Sequence, residues 1–197
     1  MRTMPVLETD RLRIRPFVPT DVDAVHQLHL AIGWIDEDGT PVQQFETTQA
    51  YVEWGSMNHY QLARLYQPPY GDRAVELKKT RTLIGICGIV PYIGHFEHFP
   101  YWGGVPSEFE TAEVGLMWAM SPTHQRLGYA TETAQGLIDY AFNDMHLRRI
   151  IATTAYENVA SQGVMKKVGM RLEQNRFAER SPWFQVIGIL ENPKVAR

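Results

Sequence analysis

Ser121 to Phe142 reads SPTHQRLGYATETAQGLIDYAF, and this stretch decides the fold. From Leu127 onward, apolar residues fall at Leu127, Ala130, Ala134, Leu137, Ile138, Ala141 and Phe142, with Met145 just beyond. Steps of three and four put them on one face of a helix. A helix start leaves its first backbone N–H groups without intrahelical acceptors, and a Ser, Thr, Asp or Asn side chain normally covers one of them. Here the start runs through Gln125, Arg126, Leu127, Gly128, Tyr129 and Ala130. The small residues Gly128 and Ala130 leave the backbone open to an outside acceptor, and an anion suits that role.

The pattern extends outward on both sides. Upstream, TAEVGLMWAM (111–120) reads as a strand running into the helix start. Downstream come a strand RRIIATTAY, a helix NVASQGVMKKVG, a strand MRLEQNRFA and a last strand WFQVIGIL. Near the N-terminus, RLRIRPF alternates Leu12 and Ile14 with Arg, as a half-buried strand does. VPTDVDAVHQLHLAI then reads as a helix, with Thr20 as its N-cap and Asp21 and Asp23 in the first turn. GWIDEDGTP is a loop, TTQAYVEWGSMNHYQLARLY a second helix, and RAVELKK and TLIGICGIVPY are two strands. The order is β, α, α, β, β, β, α, β, α, β, β, which predicts a mixed α/β (α+β) domain.

Bulk properties exclude several classes. The 197 residues suffice for one domain with a sizeable core, and a net charge of −3 argues against a nucleic-acid surface. The N-terminus has no apolar signal region, and no apolar run reaches the roughly 18 residues of a membrane span. The expectation is a cytoplasmic protein with neither nucleic acid nor membrane as partner. Cys87 is the one cysteine and lies in an apolar strand, which suits a buried thiol better than an acyl carrier. His95 and His98 lack the further ligands a metal site needs, so no metal is expected. They belong to Tyr92–Glu110, the one segment without a period, which holds six aromatics, two Pro and three Gly.

Gln125-Arg126-Leu127-Gly128-Tyr129-Ala130 resembles the (Gln/Arg)-x-x-Gly-x-(Gly/Ala) acyl-CoA motif of the GNAT superfamily of N-acetyltransferases. The element order resembles it too. LETDRLRIRPF, AEVGLMWAMSP and ENVASQGVMKKVGM look like its branch of ribosomal-protein acetyltransferases, RimJ and RimL. The resemblance implies a single domain over 1–197, with a mixed sheet of about six to seven strands, helices on both faces and a splayed strand pair. It implies acetyl-CoA as donor substrate. The pyrophosphate would sit on Gln125, Arg126, Leu127, Gly128, Tyr129, Ala130 and Thr131. Pantetheine would pair with backbone at Trp118, Ala119 and Met120, and Asn158 would contact the pantetheine arm.

For catalysis the resemblance implies Ser161 as general acid for the thiolate, while Asn158 and Ser161 serve equally well as a helix cap and first-turn residue. Acetylation needs a neutral amine, so a carboxylate must take its proton. Glu113 is the leading candidate, with an exposed strand-end role as its alternative. Glu132 ranks below it because a first-turn carboxylate stabilises a helix anyway. Tyr156 and Tyr129 are further acids by chemistry. The expected activity is acetyl transfer to an amine acceptor, a protein N-terminus or a small molecule, and the competing reading is an inactive acyl-CoA-binding sensor or partner module. The aromatics of Tyr92–Glu110 are expected to wall the acceptor cleft or to bury in a homodimer interface.

Overall fold

The structure is a computed structural model and describes residues 3–177 and 184–195. Ala178 and Trp183, which the pattern places at strand ends, lie outside the described residues. Among the described residues, eight strands hydrogen-bond in the order β1-β2-β3-β4-β5-β6-β8-β7. They are β1 Leu7–Glu8, β2 Leu12–Arg15, β3 Gly71–Leu77, β4 Leu83–Gly94, β5 Thr111–Met120, β6 Arg149–Thr154, β7 Arg171–Gln174 and β8 Val186–Glu191. Among the described residues four α-helices accompany them: α1 Val22–Ile32, α2 Pro41–Arg64, α3 Tyr129–Asn143 and α4 Val159–Lys167. The sheet is mixed, because β5 and β6 are parallel whereas β1–β2, β2–β3, β3–β4, β6–β8 and β7–β8 are antiparallel. Eight strands exceed the six to seven expected. No helix among the described residues is long and apolar enough to cross a membrane.

The chain divides into two compact units. The first holds residues 1–89 and 117–136. Its core packs Phe17, Val25, Leu28, Val52, Ala74 and Ile86, drawn from α1, α2 and the strands. The period-2 pattern of RLRIR is met literally: Leu12 and Ile14 are fully buried and Arg13 and Arg15 are not.

Helix starts in this unit differ from expectation. Thr20 does not cap α1, because Pro19–Asp21 forms a 3-10 turn that runs straight into it. No side chain caps α1; Asp21 instead ties down the preceding turn, accepting from the Val18 N–H at 2.8 Å and from Arg15 at 2.7 and 2.9 Å. α2 begins at Pro41, ahead of the expected Thr47. A capping box holds it: the Gln43 N–H donates to Thr40 Oγ1 at 3.3 Å, and the Thr40 N–H donates to Gln43 Oε1 at 2.9 Å. Pro41 at the first helical position adds a preset φ.

The second unit holds residues 90–116 and 137–197. β6 and β8 pair over six residues, from Arg149↔Glu191 to Thr154↔Val186. β5 and β6 are registered at Gly115↔Ile151. Residues 92–110 fold as two 3-10 turns, Phe96–His98 and Pro100–Trp102, between β4 and β5. Phe96 and Phe99 are fully buried against Ile151, Phe184, Ile187 and Ile189. Phe99 meets Phe184 edge-on at 4.9 Å, and Tyr92 stacks on the same ring at 5.6 Å. Phe96 and Phe99 therefore belong to the unit's own core, with Tyr92, Tyr101 and Trp102 half-buried against it, while Phe109 is exposed.

Candidate active site

The end of β5 and the loop into α3 lie together in the first unit. Gly85 of β4 lets the two strands approach: a Cβ there would stand 2.5 Å from the Ala119 carbonyl oxygen and 2.6 Å from Met120 Sδ. The Ser121 N–H donates to the Ile84 carbonyl at 2.8 Å, so Ser121 and Ala119 turn their backbone groups toward β4. By strand alternation, Trp118 and Met120 turn theirs to the opposite edge. Of these, the Met120 carbonyl is taken by Gln125 Nε2 at 3.1 Å. Gln125 thus clamps the strand end to the loop.

Between Gln125 and α3 the backbone takes two left-handed residues, Arg126 at φ +60° and Gly128 at φ +85°. A non-glycine residue there costs about 1 kcal/mol or more and persists only where the surroundings hold it. Those surroundings come from the other end of the sequence. Arg11 Nη1 donates to the Leu127 carbonyl at 3.0 Å, its Nε donates to Glu132 Oε2 at 2.6 Å, and its Cζ lies 4.4 Å from the centre of the Tyr129 ring. Arg11 Nη2 is the nearest atom to Gly128, at 3.3 Å from where a Cβ would stand. A fixed cation therefore flanks the glycine, and the free N–H groups of the first turn of α3 are next in the chain. Helix polarity and charge favour an anion at the same place.

Glu132 is committed to this scaffold. Its carboxylate accepts from Thr9 Oγ1 at 2.5 Å and from the Arg11 backbone N–H at 2.8 Å. Burial alone would raise its pKa, but the Thr9 and Arg11 donors together outweigh that and hold it below the usual carboxylate value. Tyr129 lies under the Arg11 guanidinium, and Leu127, Ala130 and Thr131 complete the turn. Arg11 escapes a reading of the sequence alone, where it is one more polar residue in an alternating strand. Its signal is its place in the LETDRLRIRPF block.

The second unit carries Glu113, Asn158 and Ser161. Glu113, on β5, is gripped by Arg149 through two bonds, one from Nε at 2.8 Å and one from Nη2. Donating to Glu113 raises the Arg149 pKa, so this cation stays charged. Arg149 also lies 5.5 Å from the Tyr101 ring centre and 5.3 Å from that of Trp102. Asn158 caps α4, its Oδ1 accepting from the Ser161 N–H at 3.1 Å. Ser161 is half-buried. Tyr156 donates its hydroxyl to the Asn175 carbonyl at 2.7 Å, a structural bond. In the first unit, burial pushes the Cys87 thiol pKa up, consistent with an inert side chain.

Comparison with known proteins follows the same lines. The Acetyltransferase (GNAT) domain profile matches residues 11–171. The uncharacterized N-acetyltransferase YnaD of Bacillus subtilis is 46% identical over 81 residues, which span 41% of this chain and 44% of that protein, less than half its length. The uncharacterized N-acetyltransferase YoaA of the same organism is 28% identical over 170 residues, 86% of this chain and 84% of that one. Among solved structures, Mycobacterium smegmatis RimJ in complex with CoA-disulfide superposes with a TM-score of 0.65 at 18% identity. It covers 98% of this chain and 90% of that one, a likeness of fold. With the profile spanning residues 11–171 and the Gln-x-x-Gly-x-Ala turn opening α3, the chain belongs to the GNAT acetyltransferase family, a family of acyltransferases.

Proposed function

We propose that the protein moves the acetyl group of acetyl-CoA directly to an amine, on a protein N-terminus or a small molecule. The observation that carries this is the left-handed Arg126–Gly128 turn, flanked by the Arg11 guanidinium and opening α3. A pyrophosphate there receives backbone N–H groups and a cation, while the absent side chain of Gly128 lets it approach. Gln125, Arg126, Leu127, Tyr129, Ala130 and Thr131 shape that cradle. The Trp118 backbone and the Met120 N–H, turned away from β4, suit a pantetheine arm pairing as an added strand, with Ala119 between them facing β4 and the Met120 carbonyl held by Gln125.

In the transfer step the amine nitrogen attacks the thioester carbon, and negative charge gathers on the carbonyl oxygen. The Met120 N–H is the donor we assign to it. The C–S bond then breaks and the thiolate takes a proton, with Ser161 as its proposed source and Asn158 holding that helix start. Glu113 is the proposed carboxylate for the amine proton. Because Arg149 grips it, that role requires a water or the amine itself to compete for one oxygen. The neighbour bound to CoA-disulfide supports a CoA donor by likeness of fold.

Titration calorimetry with acetyl-CoA tests the cradle. Gly128→Asp places a carboxylate beside Arg11, where it pairs internally and repels phosphate. A loss of roughly a hundredfold in affinity is expected, the scale of charged hydrogen bonds replaced by repulsion. Undiminished affinity in a folded variant overturns the assignment. Thiol release with a panel of peptide and small amines then reads the acceptor.

A further inference from the structure

α2 carries apolar residues on two sides. Inward, Val52 and Ala63 are buried, and Gly55 lies so close to Phe17 that a Cβ there would stand 2.6 Å from its ring. Outward, its early turns show water the polar Gln43, Glu46, Thr47 and Gln49, as a surface helix does. The later turns do not. Trp54, Met57, Tyr60 and Leu65 are each more than half exposed, and Tyr66, just past the C-cap, is 86% exposed.

Tyr66 sits at φ +58°, the left-handed position where a helix usually ends on Gly or Asn. An exposed aromatic ring thus stands where the backbone favours a residue without bulk. Aromatic side chains offer about 150–250 Å² each, so the exposed parts of Trp54, Tyr60 and Tyr66 alone come to about 400 Å², the size of the largest apolar patch on a typical monomer. Met57 and Leu65 extend the strip toward the roughly 800 Å² per partner that a standard interface buries.

The charges along the strip select its occupant. Glu53 and Arg64 are both exposed, and among the described residues neither forms an ion pair within the chain. Eleven residues separate them, and eleven separate Trp54 from Leu65. That is close to three turns at 3.6 residues per turn, so Glu53 and Arg64 share one edge of the strip, Trp54 and Leu65 share the other, and Met57 lies between. With opposite charges at the two ends of one edge, the strip complements itself run backwards. This is the condition for an isologous two-fold contact, in which residue i meets j and j meets i.

We propose that α2 packs antiparallel on α2 of a second copy of this chain, with Glu53 against the partner's Arg64, Trp54 against the partner's Leu65 and Met57 at the centre. The contact closes on itself and makes a dimer. It does not rest on the acetyl-transfer reading.

The test is sedimentation velocity of the full chain over about 1–100 μM, the range that resolves a micromolar association. The wild type should form a species of twice the chain's 22.6 kDa. Met57→Glu sets two like charges together at the centre and should weaken the dimer about a hundredfold. Glu53→Arg and Arg64→Glu should each weaken it about tenfold, and the two combined should restore it to within a few fold of the wild type, because the pairs re-form with their signs exchanged. All three positions are exposed, and circular dichroism confirms that each variant is folded. A wild type that stays monomeric throughout, a dimer unchanged by Met57→Glu, or a double variant no tighter than the single ones overturns the proposal.

Discussion

Arg11 Nε and Glu132 Oε2 meet at 2.6 Å although 121 residues separate them. The contact joins the turn between β1 and β2 to the first turn of α3. It also orients the guanidinium that flanks Gly128, so one carboxylate serves both the fold and the proposed anion cradle.

Glu132→Gln should therefore lower stability in a pH-dependent way. The folded-state pKa of Glu132 is depressed by its Thr9 and Arg11 donors against the opposing push of burial. A depressed carboxylate contributes stability above its unfolded pKa, near 4.3, and that contribution disappears as pH falls through the lower folded value. The melting temperature of the variant should trail the wild type at pH 7 and approach it near pH 3. A gap that stays constant over this range would sink the linkage.

Glu113→Gln separates a structural from a catalytic carboxylate. Its side chain is 8% exposed and holds Arg149 by two bonds, so the variant leaves a partly buried cation half-paired. A loss of about 2–4 kcal/mol in chemical denaturation is expected. If Glu113 also takes the amine proton, kcat/KM falls at pH 7 and recovers toward high pH, where the amine is already neutral. A rate loss uniform in pH assigns Glu113 to the scaffold alone.

Phe99→Ala probes the aromatic segment. The ring is fully buried and touches Phe184 edge-on, so the cavity should cost about 3–5 kcal/mol. Urea unfolding reads it. A loss under 1 kcal/mol would mean that residues 92–110 are not the core element described above.

What the sequence made legible follows the reach of each signal. The element order, the start of α3 and the buried face of RLRIR come from periodicities within a few residues, and they agree with the structure. β1 spans only Leu7–Glu8, too short to show a period, and it accounts for the extra strand. The start of α2 was available in Thr40-Pro41-Val42-Gln43, a capping box with proline at its first position, but Gly39 and Pro41 read more readily as loop. The aromatic content of residues 92–110 was plain, whereas its partners Phe184 and Ile187 lie far along the chain. Arg11 was hidden for the same reason: nothing near it announces Glu132 or Leu127.

That last separation has a consequence during synthesis. Thr9 and Arg11 leave the ribosome before the carboxylate they serve, which follows only after more than a hundred further residues. Until then the growing chain carries donors without their acceptor, and the loop before α3 lacks the clamp that holds Arg126 and Gly128 left-handed. The left-handed turn proposed to cradle phosphate is thus a late product of translation. A nascent chain halted before Glu132 contains the whole motif and still cannot hold its shape.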